Sequence, residues 1–351
     1  MTVDLGPIYY FCTRQHAYTI GVLLGYYDHG LGDLVRIIPY ERAARLGTVT
    51  PGTFVFTDFE RLSPPVLKAV NSLHQRIASL NPELLLLNNP AVVLGRFALL
   101  KRLKAAGLND FDIYRLGERH EIRRFPVFVR WESRHDPPLT GLIDSGQGLE
   151  KAIAALPAYI REDPDVMIVE YGTAPSADGR FRKYAAFKVG DQIYAQHCFS
   201  SHSWYIKFSE AILGDAERAE SIAYAKENPH AAQLDRIFSL AGIDYGRIDY
   251  GLVDGRVQTF EINNNPTVMS RPRGWDAGVD YTRYADMHAK AFRGIMRSVS
   301  GPSLLLGDGS MSVDAIHAEA MHAVRLRMAK FARQRRLRAL KKLVSSAFGR
   351  G

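Results

Sequence analysis

The chain has 351 residues, 46% of them hydrophobic, and a formal net charge of +8. That length and composition suffice for a sizeable buried core in two or three domains, with no internal repeats or low-complexity tracts. No run of about 18 apolar residues occurs, and no basic segment followed by an apolar stretch opens the sequence, so a membrane-spanning or secreted protein is not indicated and a cytoplasmic location is expected.

The charge is unevenly distributed. Ten lysines and arginines fall in residues 321–351, where Asp and Glu are absent, so the remainder carries a formal charge of −2. The only cysteines, Cys12 and Cys198, lie in apolar, strand-like contexts and read as reduced core residues.

Residues 1–115 alternate strand patterns (8–12, 34–38, 53–57, 84–87) with helical ones (64–80 and 91–106, the latter stopped by Gly107). Alternation of this kind predicts a small parallel sheet with helices on its faces. Residues 116–170 read as a compact α+β lobe: a strand ending on Arg130, a polar loop over 131–141, a helix near 147–156, and a buried-looking strand from Val166 that breaks at Gly172. Residues 171–300 predict a second, antiparallel lobe, with a strand over 181–191 returning over 192–197, helices at 216–227 and 230–241, and a closing helix at 281–298. In the 181–191 strand, alternation places Arg182 and Tyr184 on one face and Lys183 and Ala185 on the other. Residues 301–351 read as a linker and a basic helix over about 312–346, rich in Ala and Leu and free of Pro.

The most informative stretch is Gly246-Arg247-Ile248-Asp249-Tyr250-Gly251, a turn at Asp254-Gly255, then Phe260-Glu261-Ile262-Asn263-Asn264-Asn265-Pro266. It predicts a β-hairpin with Arg247, Asp249, Glu261 and Asn263 on one face and Ile248, Tyr250, Leu252, Phe260 and Ile262 on the core face. The two sets agree only if Asp249 sits opposite Glu261 and Arg247 opposite Asn263. A plain two-residue turn would point Glu261 at the core, since a one-residue slip reverses every side chain. A three-residue loop over 254–256, with a bulge at Gly255 or its neighbour, is therefore expected.

Two carboxylates about 5 Å apart across a strand pair repel unless a cation lies between them. Oxygen donors with no Cys or His suit magnesium or manganese, and magnesium is normally shared with phosphates, which implies a nucleotide. The competing reading is an acidic surface hairpin neutralised by Arg247.

At these residues the chain resembles the ATP-grasp superfamily, which carries Arg-x-Asp on one strand and Glu-x-Asn near the end of the next. Here these are Arg247-Ile248-Asp249 and Glu261-Ile262-Asn263. The resemblance implies that Asp249, Glu261 and Asn263 hold magnesium ions bridging the phosphates of ATP, and that Arg247 faces the transferred phosphate. Arg130 aligns where that family usually has a lysine, and the loop after it is less glycine-rich than is usual. Glu170 becomes the candidate nucleotide carboxylate, with Tyr171 and Gly172 as hinge backbone, and Lys183 is preferred to Arg182 for phosphate contact. Arg271 and Arg273, just past the metal strand, are candidate substrate contacts because a forked cation suits a carboxylate or phosphate. His202 is a candidate acid or base, whereas its spacing from His197 matches no usual zinc pattern.

The family's typical chemistry implies an ATP- and magnesium-dependent ligase that joins a carboxylate to an amine through an acyl phosphate, with small-molecule or peptide substrates. The alternatives are a phosphotransferase of the same fold and a non-catalytic nucleotide-binding protein. The basic tail could lie on a membrane surface, pair with a protein partner or pack on its own body; no recognised nucleic-acid module accompanies it.

Overall fold

The computed structural model describes residues 5–27, 29–134, 136–268, 281–298 and 301–348, excepting the side chains of 209 and 338–348. The candidate contacts Arg271 and Arg273 lie outside the described residues. The chain forms two compact units, one of residues 1–58, 68–87 and 265–351, the other of residues 59–67 and 88–264.

The first unit is built on a parallel sheet with the strand order Val35–Pro39, Ile8–Cys12, Thr53–Phe56, Leu85–Leu87. Ile8–Cys12 is buried at all five positions, as a central parallel strand covered on both faces must be. The closing helix, Tyr281–Ile295, and the long C-terminal helix, Val313–Phe348, both belong to this unit. Their place follows from apolar spacing. Ile316, Ala320, Val324 and Met328 recur every four residues and are all buried, while Leu326 and Leu337 on the other face are exposed. Gly21 on the Tyr18–Tyr26 helix admits this close packing: a Cβ there would lie 2.7 Å from Val324 Cγ2. Polar contacts fix the register, with Arg36 Nε 2.8 Å from Asp314 Oδ1 and Arg42 donating to both carboxylate oxygens of Glu319. The Ile37 N–H donates to His317 Nδ1 at 3.0 Å.

The second unit carries two antiparallel sheets. One has the order Ile113–Arg115, Val166–Glu170, Val127–Trp131; the other has the order Gln192–Ser201, Phe181–Val189, Tyr245–Val253, Arg256–Asn263. Helices Asp215–Glu227 and Ala231–Ala241 supply Tyr224, Leu234, Ile237 and Phe238 to a core that also contains Ile248 and Tyr250. Helix Arg96–Ala105 starts later than the sequence pattern suggested, because Gly95 is its extended N-cap; Gly107 follows its end at φ +66°.

The hairpin register is the one expected: Asp249 pairs with Glu261 and Arg247 with Asn263. The three-residue loop is a misplacement, however. Val253 pairs with Arg256, so the turn is the two-residue Asp254-Gly255, both at positive φ (49° and 73°), as a type I′ turn needs. The extra residue is instead Phe260, since Tyr250 pairs with Thr259 and Asp249 with Glu261. A bulge next to the carboxylates, rather than at the tip, keeps Glu261 on the face of Asp249.

Candidate active site

The outer face of the four-stranded sheet is assembled by alternation. Asp249 pairs with Ala185 on the neighbouring strand, and Lys183 lies two residues along on the same face. His197 and Phe199 pair with Ala185 and Lys183 from the far side. Lys183 Nζ stands 3.3 Å from Asp249 Oδ2, and Arg247 Nε donates to Asp249 Oδ1 at 2.9 Å. Arg182 points the other way and pairs with Asp178 and Glu220. Lys183 is thus the cation of the pair that reaches the site.

Asp249 is buried, which by itself pushes its carboxyl pKa up. Arg247 and Lys183 reverse that and hold it below the ordinary carboxylate value, against an opposing contribution from Glu261.

Glu261 is met by a residue that the sequence pattern did not single out. Arg96, in the first turn of the Arg96–Ala105 helix, places Nη2 against Glu261 Oε2 and Nη1 against the carbonyls of Trp131, Glu132 and Arg134. Arg130 donates to the carbonyls of Trp131 and Arg134 at 3.2 and 3.3 Å. Burial and the neighbouring Arg96 press the Arg130 pKa down to about 10, so its guanidinium keeps its charge at neutral pH. Tyr205 donates its hydroxyl to the carbonyl of Asp136 at 3.1 Å, and its pKa is raised by burial within the fields of Arg130, Glu261, Lys183 and Arg96. The loop after Arg130 therefore offers carbonyls to two guanidinium groups, and an anion here would be met by arginine forks.

Backbone clamps fix the hairpin that carries these groups. Asn88, at φ +64°, accepts from the N–H groups of Asp244 and Tyr245 and donates to the Tyr245 carbonyl. Asn109 closes two bonds with the backbone of Thr259, covering the free edge of the last strand. The Asn-Asn-Asn-Pro exit is also accounted for. Asn263 closes the strand, Asn264 Oδ1 accepts from the Phe59 N–H, and Asn265 Oδ1 accepts from the Tyr10 hydroxyl.

Glu170 has a different setting from the one expected. Its carboxylate accepts from the Asp112 N–H at 2.9 Å and the Tyr114 hydroxyl at 3.0 Å, and it is buried. Both oxygens are engaged in joining strands, which accounts for a carboxylate at that depth. Tyr171 stacks edge-on to Trp204, and Gly172 faces the Phe111 ring so closely that a Cβ would lie 2.1 Å from its Cδ1. His202 is exposed, whereas His197 is buried on the site face. Both cysteines are free and buried, as the sequence suggested.

The donor chemistry fits a hard divalent cation: two carboxylates and an amide oxygen on paired strands, with no soft ligand. Their negative charge is balanced here by Lys183, Arg247 and Arg96. No cluster of three or more His, Cys, Asp or Glu able to hold a metal occurs among the described residues.

No family model and no curated protein matches the chain. Among solved structures it is similar to the D-alanine–D-alanine ligase from Bacillus anthracis complexed with ATP, at 13% identity over 83% of this chain and 98% of that one, with a TM-score of 0.46. It is similar to the VanG D-Ala:D-Ser ligase from Enterococcus faecalis at 12% identity, over 82% of this chain and all of that one, again with a TM-score of 0.46. It is also similar to the ATP-grasp ligase PsnB complexed with minimal precursor, at 14% identity over 82% and 99%, with a TM-score of 0.46. With TM-scores below 0.5, these likenesses carry no argument about the site, which stands on its own geometry.

Proposed function

We propose that the protein is an ATP-grasp enzyme: an ATP- and magnesium-dependent ligase that activates a carboxylate as an acyl phosphate and joins it to an amine. The observation that carries the reading is the pairing of Asp249 with Glu261 on a sheet face that also presents Lys183 and Arg247, with Arg96 and Arg130 beside it. Carboxylates and cations mixed in this way suit a metal–polyphosphate complex, with oxygen donors for the ion and forked donors for the phosphates.

In this reading Asp249, Glu261 and Asn263 would hold magnesium, which would offset the charge of the phosphate oxygens. ATP supplies the phosphoryl group. Lys183 and Arg96 would meet phosphate oxygens beside the carboxylates they now pair with, and Arg130 would add a third cation. Arg247 stays beside Asp249 and faces the transferring group. The chain's contribution is positioning and charge neutralisation. No general base is required of His202. Tyr171 and Gly172 offer hinge backbone to the nucleotide, while Glu170 supports that strand end from behind.

The test is ADP release in the presence of magnesium, with pools of acids and amines supplied separately and together. A ligase releases ADP and phosphate only with both, whereas a phosphotransferase yields a stable phosphorylated product from one acceptor. Loss of turnover in Asp249→Asn and Glu261→Gln, with folding retained, supports the metal assignment; unchanged turnover in both removes it.

A further inference from the structure

The first unit holds a cavity of about 420 Å3, lined by Arg14, Gln15, Tyr18 and Glu41 and, from the C-terminal helix, Val324 and Arg327. Arg14 and Gln15 follow the strand Ile8–Cys12, and Glu41 follows the strand Val35–Pro39. The cavity therefore opens beyond the carboxyl ends of parallel strands, where open α/β sheets bind ligands. Its volume suits a small molecule.

The cations here are arranged rather than scattered. Arg327 lies with Cζ 4.0 Å from the Tyr18 ring centroid and 5.3 Å from that of Phe331, which sets the plane of its fork. Its Nη1 reaches the Gln15 carbonyl at 3.4 Å, while its buried Nε–H has no acceptor among the described residues. Both carboxylate oxygens of Glu41 accept from the Arg14 backbone N–H, at 3.2 and 3.0 Å. The Arg14 guanidinium stands 3.3 Å from Glu319, a carboxylate already held by two bonds from Arg42. The Arg14 and Arg42 guanidinium groups thus share Glu319, Glu41 is held by the Arg14 backbone, and Arg327 has no carboxylate partner among the described residues.

We propose that this cavity binds a small carboxylate. The ligand's carboxyl group meets the Arg327 fork with Arg14 beside it, and its apolar part rests on Tyr18 and Val324. A planar monoanion matches one guanidinium fork. A phosphate dianion matches less well, because Glu41 stands in the wall. The site belongs wholly to the first unit and is independent of the nucleotide chemistry proposed above.

Calorimetric titration of the full chain without nucleotide tests this, using succinate, L-alanine and N-acetyl-L-alanine as probes and inorganic phosphate as the competing anion. At least one carboxylate should bind, and phosphate should not displace it. Arg327→Ala and Arg327→Lys should each weaken binding by about ten-fold or more, the lysine variant because it keeps charge but loses the fork. Ala323 also lines the cavity from the helix, and Ala323→Phe, which fills it without altering charge, should abolish binding. Thermal unfolding of each variant identifies any that fail to fold. Binding of none of the three carboxylates, binding that survives both Arg327→Ala and Ala323→Phe in folded protein, or displacement by phosphate would overturn the proposal.

Discussion

Arg96 joins two parts of the second unit through one side chain, touching Glu261 and three carbonyls of the loop that follows Arg130. Its side chain is 9% exposed and that of Glu261 is 18% exposed, so removing the guanidinium takes a close cation away from a largely buried carboxylate beside Asp249. Arg96→Ala should cost about 3 kcal/mol in urea unfolding, and Arg96→Lys should recover only part of that, since an ammonium cannot serve the carboxylate and the carbonyls together. Gly172 gives a second residue-scale expectation. The Cβ of Gly172→Ala would meet the buried Phe111 ring, costing about 1–3 kcal/mol, whereas Gly146→Ala adds its Cβ to open space and should leave the midpoint unchanged or slightly raised. Paired denaturation curves separate the two.

At the scale of elements, the C-terminal helix is held to its sheet by groups that titrate. Burial first, then Arg36 and Arg325, press the His317 pKa down to about 4, and its Nδ1 accepts from the Ile37 N–H only when unprotonated. Between pH of about 6.5 and about 4 the unfolded chain binds a proton at this position that the folded chain does not. Stability from this group is therefore full above about pH 6.5 and falls as the pH drops toward 4, by up to about 3 kcal/mol. Unfolding midpoints measured across that range should fall more steeply for the wild type than for His317→Gln. The sequence indicated this helix by its composition, but not which of its apolar residues pack. Val324 and Met328 are buried, Val324 against the helix bearing Gly21, whereas Leu326, Phe331 and Leu337 are exposed. That choice depends on a partner surface that one-dimensional periodicity does not contain. The same limit explains the hairpin. Parity of side chains required one extra residue between Asp249 and Glu261, and that much was legible. The Asp-Gly pair satisfied its own turn, so the extra residue went to Phe260, and Arg96, distant in sequence, carried no local signal.

Across the whole molecule, the sequence resolved the alternation of the first unit, the antiparallel strands of the four-stranded sheet and the face shared by Arg247, Asp249, Glu261 and Asn263. It preferred Lys183 to Arg182 for phosphate contact, and in the structure Lys183 stands beside Asp249 while Arg182 pairs with Asp178 and Glu220. The central claim is that this face binds a magnesium–nucleotide complex, and the most direct measurement is equilibrium binding of ATP to the full chain with and without magnesium, for the wild type and Asp249→Asn. The account expects magnesium to tighten binding by about ten-fold or more in the wild type and to have no effect in folded Asp249→Asn. Equal magnesium dependence in both proteins, or no binding of ATP to the wild type, would contradict it.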